Sequence, residues 1–418
     1  MTTTRGWRQL FIWLWVVVTV ACTTQTPAST TTPSTAPATL VVWHALSSTT
    51  EYVVTERIQH IAEQSGFVVV IQKMPATTIV RDILTAWPQA RGAHVVILSN
   101  AQLAQLASAE LALPLDNLID TNNRSALADN VLDTVTFVGA DQRNHLYGVP
   151  VSYALPVLYY NMRNVLSAPR QSDDLFGIAH SLYAPPQWGL GIDLTFDTMV
   201  SYLAAFDGQV FSPQGDVVLG SSGRAGSEAW LAWLAGLNAD PQMLTKLHAV
   251  FTIERALASG NLTMAMDSSA QYVTYQQVWG EATGVVGLPE LSLTAGAAQP
   301  YLQTTAIALN PRLSDQERVA ARQLINELIT IESQQQFRDA GIQPVNQLVD
   351  VRNTPILQAT QQAAAQAVAP PVAMLRADVY TILRTMMTQV MIGTQTPADA
   401  VTLADQQLRQ LLVESDTP

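Results

Sequence analysis

The sequence predicts an α/β protein of two lobes, and three observations carry that expectation. Over residues 40–98 short apolar strands alternate with amphipathic stretches of helical length, the pattern of a parallel sheet covered on both faces. The chain has 418 residues, beyond the size at which a single core usually stops growing. The run YGVPVSYALPVLYYN, residues 147–161, reads as a strand that stops at a proline, crosses something and restarts, because proline cannot donate to a sheet ladder.

In chain order, the first residues carry a processing signal. Arg5 and Arg8 precede the apolar run 10–20, and Ala21-Cys22 follows. The apolar part is too short for a comfortable membrane span. Cys22 is the only cysteine, so no intrachain disulfide and no cysteine-based metal cluster can form. Its place resembles a bacterial lipobox, although Thr19 stands where leucine is usual. Residues 1–22 are therefore expected to be a lipoprotein signal peptide, with Cys22 as the lipidation site. Residues 23–39, almost all Thr, Ser, Pro and Ala, have nothing to bury and read as a solvated tether.

Residues 40–44, LVVWH, form the first strand. Ser48–Ser65 follows as a helix, with Val54, Ile58 and Ile61 at helical spacing and Gly66 as the stop. Residues 67–72 are a second strand, 77–87 a helix and 94–98 a third strand. In open sheets of this kind ligands bind beyond the carboxyl ends of the strands, here Trp43-His44, Lys73-Met74 and Ser99-Asn100. Further on, 195–205 reads as a helix, 210–219 as a hairpin around Pro213-Gln214-Gly215-Asp216, and 223–237 as an amphipathic helix. Ile253–Ala258 is a short helix and 262–266 an apolar strand. Residues 314–330 form a helix opened by a Ser314…Glu317 capping box. Residues 355–412 are helical in pieces, broken at Pro370-Pro371 and Pro397.

Composition narrows the function. Hydrophobic residues at 48% and charged residues at 13% exclude disorder for most of the length. Net charge is −12 and lysine occurs only at 73 and 246, so no basic cluster could neutralise a run of phosphates and nucleic acid is not expected as a partner. The six histidines show no metalloprotease spacing, and no Gly-x-Ser-x-Gly or Ser-x-x-Lys occurs. No catalytic residue, cofactor or metal is expected. The glycine-rich stretch 220–226 lacks the Lys-Ser/Thr of a phosphate loop and reads as a hairpin-to-helix connection. Tyr159-Tyr160 could suggest phenolate ligands for iron, but neighbours on a strand point to opposite faces.

Six stretches in order then resemble the family 1 extracellular solute-binding proteins, the sugar receptors of ABC importers. They are LVVWHAL (40–46), HVVILSNAQLAQLASAELALPLDNLI (94–119), NHLYGVPVSYALPVLYYN (144–161), ALASGNLTMAMDSS (256–269), NPRLSDQERVAARQLINELITIESQQQFRDAGIQPVNQ (310–347) and PADAVTLADQQLRQLL (397–412). The resemblance implies a periplasmic-binding-protein type II fold, two α/β lobes with a hinge and a ligand cleft between them. Residues 40–152 plus 303–331 would form the first lobe and 153–302 plus 332–418 the second. The crossings would lie at 152–155, 301–304 and 330–333. It further implies capture without chemistry, handover to ABC permease subunits, a lipid anchor outside the cytoplasm and a monomeric receptor. The ligand class stays open between a sugar or oligosaccharide and another small solute such as a polyamine, or a signalling role, because Asp267–Tyr272 stand where several sugar binders place tryptophan.

A neutral polyol needs flat aromatic faces and planar hydrogen-bonding groups, and the candidates follow from position. Trp43 and His44 end the first strand, with a core role competing for Trp43. Asn100 follows the third strand, where helix capping competes. Tyr153 lies at the first crossing. Asp197 lies near the start of a second-lobe helix. Asp267, Ser268 and Tyr272 follow the strand 262–266, and Trp279 could be a stacking platform or a core residue.

Overall fold

The computed structural model describes residues 37–46, 48–212, 214–245, 253–292 and 296–415. The expected signal peptide, Cys22 and nearly all of the tether lie outside the described residues. Strand β1 (Thr39–His44) buries Leu40, Val42 and His44 on one face. It lies between β2 (Val68–Lys73) and β3 (Val95–Ser99), parallel to both. Helices Ser48–Ser65 and Ile79–Ala86 connect these strands. A small hairpin, β4 (Thr136–Val138) and β5 (Asn144–Leu146), precedes β6 (Val149–Ala154).

The proline of the opening motif is tolerated in β6 for a legible reason. β6 is an edge strand, and a bulge there sets Thr305 opposite Ser152 and the next residue, Ala306, opposite Pro150. Edges and bulges are where proline can sit without breaking a ladder. Val151, the extra residue, gives its carbonyl to the side chain of buried Gln334.

After Leu155 the chain enters a second five-stranded sheet with β7 (Pro156–Asn161). That sheet is completed by β8 (Trp188–Ile192), β9 (Met243–Thr245), β10 (Leu262–Ser268) and β11 (Thr283–Gly287), in the order β11-β7-β10-β8-β9. Gly189 is required in β8, since a Cβ there would stand 2.0 Å from the Ala179 carbonyl oxygen of helix Ser172–Ser181. The chain returns to the first sheet as β12 (Gln303–Leu309), antiparallel to both β3 and β6. Helix Arg224–Ala239 buries Trp230, Leu231 and Leu234 and packs with Ala377–Met391 and Pro397–Ser415 beside the second sheet. The fold is thus the two-sheet, type II periplasmic-binding-protein fold expected. The capping box at Ser314 and Glu317 is formed by both of its hydrogen bonds. The expected helix 195–205 is instead one short helix, Phe196–Met199, followed by two 3-10 turns.

The passages between the lobes fix the frame of the cleft. Leu155 bridges β6 and β7, and it is held from the second lobe by Ser269, whose amide donates to Leu155 O at 2.8 Å and whose Oγ accepts from Leu155 N at 3.1 Å. The second passage runs into β12, where Leu302 N donates to Val368 O. The third departs from expectation. Residues 330–333 do not cross: Thr330 caps helix Ile331–Asp339, and Arg57 of helix Ser48–Ser65 holds Ser333 at 2.8 Å and Glu332 at 3.1 Å. That helix stays with the first sheet. The chain passes over only between it and helix Pro355–Ala364, which packs on β11.

Candidate ligand-binding cleft between the sheets

A cavity of about 390 Å³ opens where the two sheets face each other. The first lobe contributes Ser152, Tyr153 and Ala154 of β6, Gln303 and Thr305 of β12, Thr50, and the turn Ala340–Gln343. From the second lobe come Ser269, Ala270 and Gln271, then Val273, Thr274 and Gln277 of helix Tyr272–Trp279, with Leu357 and Thr360 of helix Pro355–Ala364. Beyond the carboxyl ends of β1 and β3 the space continues into a second cavity of about 320 Å³, which shares Thr50 and Thr305 with the first. Among the described residues lining the main cavity there is no carboxylate, lysine, arginine or histidine. Hydroxyls and carboxamides supply its polarity, and among the described residues Tyr153 supplies its one aromatic ring.

Local structure explains which side chains face this space. Helix Tyr272–Trp279 turns Tyr272, Tyr275 and Trp279 into the core, at helical spacing, which leaves Val273, Thr274 and Gln277 for the cleft. Tyr275 stacks on Tyr159 with centroids 4.0 Å apart and planes 10° apart. Trp279 lies 5.2 Å from Tyr275. Tyr159 donates to Ser268 O at 3.0 Å, and Tyr275 donates to Asp267 Oδ2 at 3.0 Å. The stack and its hydrogen bonds hold the loop whose next residues, Ser269 to Gln271, form the cavity wall.

Of the candidate residues, the structure brings Tyr153 to this cavity, and burial pushes its hydroxyl pKa up. The others sit elsewhere, each for a physical reason. Trp43 covers Gly92, where a Cβ would come within 2.8 Å of the indole. His44 is buried, which pulls its pKa down, and its Nδ1 accepts from Leu46 N at 3.3 Å. Asn100 is buried, donating to Leu302 O at 3.3 Å, while Ser99 takes the capping role. Asp197 accepts from Tyr380 on a distant helix. Asp267 is buried against Tyr275, Ser268 caps the turn that follows it, Tyr272 packs on Gly341, and Trp279 is core.

Sequence reasoning missed Gln343, Thr274 and Thr305. The phase of helix Tyr272–Trp279 was the available signal for Thr274: three aromatic residues on one side leave the polar side free. Gln343 gave no such signal. It is 5% exposed, lines the cavity, and neither its Nε2 nor its Oε1 has a partner in hydrogen-bond geometry. Its contact with the Tyr153 hydroxyl falls outside that geometry. A buried amide left this way costs about 1–3 kcal/mol. No group of metal-binding side chains occurs among the described residues, and no described helix is long and apolar enough to cross a membrane.

The profile of the bacterial extracellular solute-binding proteins matches residues 56–373. Among curated proteins, none matches the chain significantly. Solved structures share the fold at low identity. The maltotriose-binding protein of Thermus thermophilus, bound with maltotriose, superposes with a TM-score of 0.77 at 16% identity, covering 89% of this chain and 100% of that one. The maltose/maltodextrin-binding domain of Bdellovibrio bacteriovorus, bound to maltotriose, gives 0.75 at 17%, covering 90% and 99%. The GacH receptor of Streptomyces glaucescens, solved unliganded and with acarbose, gives 0.76 at 16%, covering 90% and 98%.

Proposed function

The chain belongs to the bacterial extracellular solute-binding proteins, a family of binding proteins and not of enzymes, and from that premise we propose that it is the sugar receptor of an ABC importer. It captures a neutral sugar or short oligosaccharide between its lobes and presents the closed, loaded form to the permease. The extracellular setting is that of the family, and lipidation of Cys22 would hold the receptor at the membrane surface. The observation that carries the reading is the lining of the main cavity: hydroxyls and carboxamides from both lobes, with no charged side chain among the described residues. Such groups offer donors and acceptors to a polyol. A polyamine would instead require convergent carboxylates to offset the burial of its charge. The sugars held by structures of the same fold support the same choice.

A ligand that binds only the folded state must raise the melting temperature, by about 2.7 kcal/mol of added stability at a hundredfold excess over Kd. The full-length chain, screened by thermal shift against maltotriose, maltose, trehalose, glucose and spermidine, is expected to respond to a saccharide. A response to spermidine alone would defeat the proposal.

A further inference from the structure

We propose that Gln343 selects the ligand in this cleft by reading two adjacent hydroxyls with one carboxamide, Nε2 donating to one oxygen while Oε1 accepts from the next. The inference rests on the sugar-receptor reading and assigns it a residue and a chemical pattern. Four glutamines line the main cavity, and Gln271, Gln277 and Gln303 are exposed at its rim. Gln343 alone of the four is buried; its side chain touches the Tyr153 hydroxyl, itself on the cleft wall, and neither end of its amide has a partner in full hydrogen-bond geometry.

Gln334, nine positions earlier in the sequence, shows what a structural glutamine looks like here. Also buried, it donates to Val151 O at 3.2 Å and to Leu328 O at 2.9 Å, and accepts from Val345 N at 2.8 Å. Gln343 has none of these ties, yet its backbone is fixed on both sides. Gly341 turns the chain with φ +78° against the Tyr272 ring, Val345 N is held by Gln334, and Asn346 donates to Ile329 O at 2.9 Å. A desolvated amide on a fixed backbone is pre-organised for a partner presenting both an acceptor and a donor. Neighbouring hydroxyls of a sugar ring do so, each being donor and acceptor. A carboxylate satisfies only the donor end and an ammonium only the acceptor end.

The test takes the saccharide bound most tightly by the wild-type full-length chain among maltotriose, maltose, trehalose and glucose, and titrates it calorimetrically into Gln343→Leu and Gln343→Glu. Loss of two neutral hydrogen bonds corresponds to about thirtyfold weaker binding for Gln343→Leu. The melting temperature of its ligand-free form is expected to be unchanged or higher, since a buried unpaired amide has been replaced by an apolar group of similar size. Gln343→Glu keeps the shape, removes the donor, and is expected to weaken binding as well. Binding within twofold of wild type in both variants would overturn the assignment. So would a lower ligand-free melting temperature in Gln343→Leu alongside lost binding, which marks a structural residue. If the wild type binds none of the four saccharides, the receptor reading fails and the assignment falls with it.

Discussion

Alanine at Gly341 tests whether the seam between the lobes belongs to the binding conformation. Gly341 ends helix Ile331–Asp339 of the first lobe with φ +78°, and a Cβ there would stand 2.9 Å from two ring carbons of Tyr272 and 3.2 Å from Val273 Cγ2, both on the second lobe. Gly66 ends helix Ser48–Ser65 with φ +75° and has nothing within 4 Å of its notional Cβ. The two substitutions therefore share one cost and differ in the other. Left-handed alanine costs about 1–2 kcal/mol in either place. At Gly341 the new methyl must also push back a packed ring from well inside the ordinary contact distance of about 3.5 Å, an overpacking cost of about 1–3 kcal/mol. That second cost falls on the arrangement in which the lobes meet across the cavity. Denaturant unfolding should show Gly66→Ala and Gly341→Ala both destabilised, while calorimetry with the tightest-binding saccharide should show Gly66→Ala unchanged and Gly341→Ala weakened roughly tenfold to a hundredfold. Equal affinity in the two variants would refute the claim that the Gly341–Tyr272 contact accompanies binding.

Three other outcomes follow. Tyr275→Phe keeps the stack on Tyr159 but takes one donor from Asp267, so chemical denaturation should show a loss of about 1–3 kcal/mol. Trp279→Ala should cost about 3–5 kcal/mol by the same measurement, as expected of a core ring 3% exposed, whereas a stacking platform would lose affinity with little change in stability. His145 lies between Asp141 Oδ1 at 2.9 Å and Asp116 Oδ2 at 3.2 Å, and these partners raise its pKa above the ordinary 6.5. A raised folded pKa gives stability that is full below 6.5 and fades as pH rises through the folded value. The melting-temperature gap between wild type and His145→Gln should accordingly be largest near pH 6 and shrink toward pH 9.

Much of the fold was legible because the relevant forces act locally. The strand and helix of residues 40–65, the Ser314 capping box and the breaks before the last helices all follow from nearby residues. Strand β8 was missed, since its two glycines imitate a loop in the sequence, although Gly189 serves the close approach of helix Ser172–Ser181 and Gly191 that of Ile253 and Leu262. Helix Ile331–Asp339 was divided between lobes because its polar sequence conceals the anchors to Arg57, which lies far away in the chain. The cleft was the least legible part. Strand ends and aromatic residues suggested its lining, but Trp43, Tyr272 and Trp279 are drawn into packing. The wall is made instead of threonines and glutamines that segments far apart in sequence bring together. Nothing near Gln343 in the chain distinguishes it from Gln334; the difference lies in the folded structure, where Gln334 is tied to three backbone groups and Gln343 meets only the Tyr153 hydroxyl, outside full hydrogen-bond geometry.

The central claim is that a neutral sugar is held between the lobes by groups from both. Hydrogen exchange followed by mass spectrometry, with and without the tightest-binding saccharide, measures this directly. The account predicts simultaneous protection in residues 149–154, 303–309 and 340–345 of the first lobe and in residues 268–277 and 355–364 of the second. Protection confined to one lobe, or lying away from these segments, would contradict it.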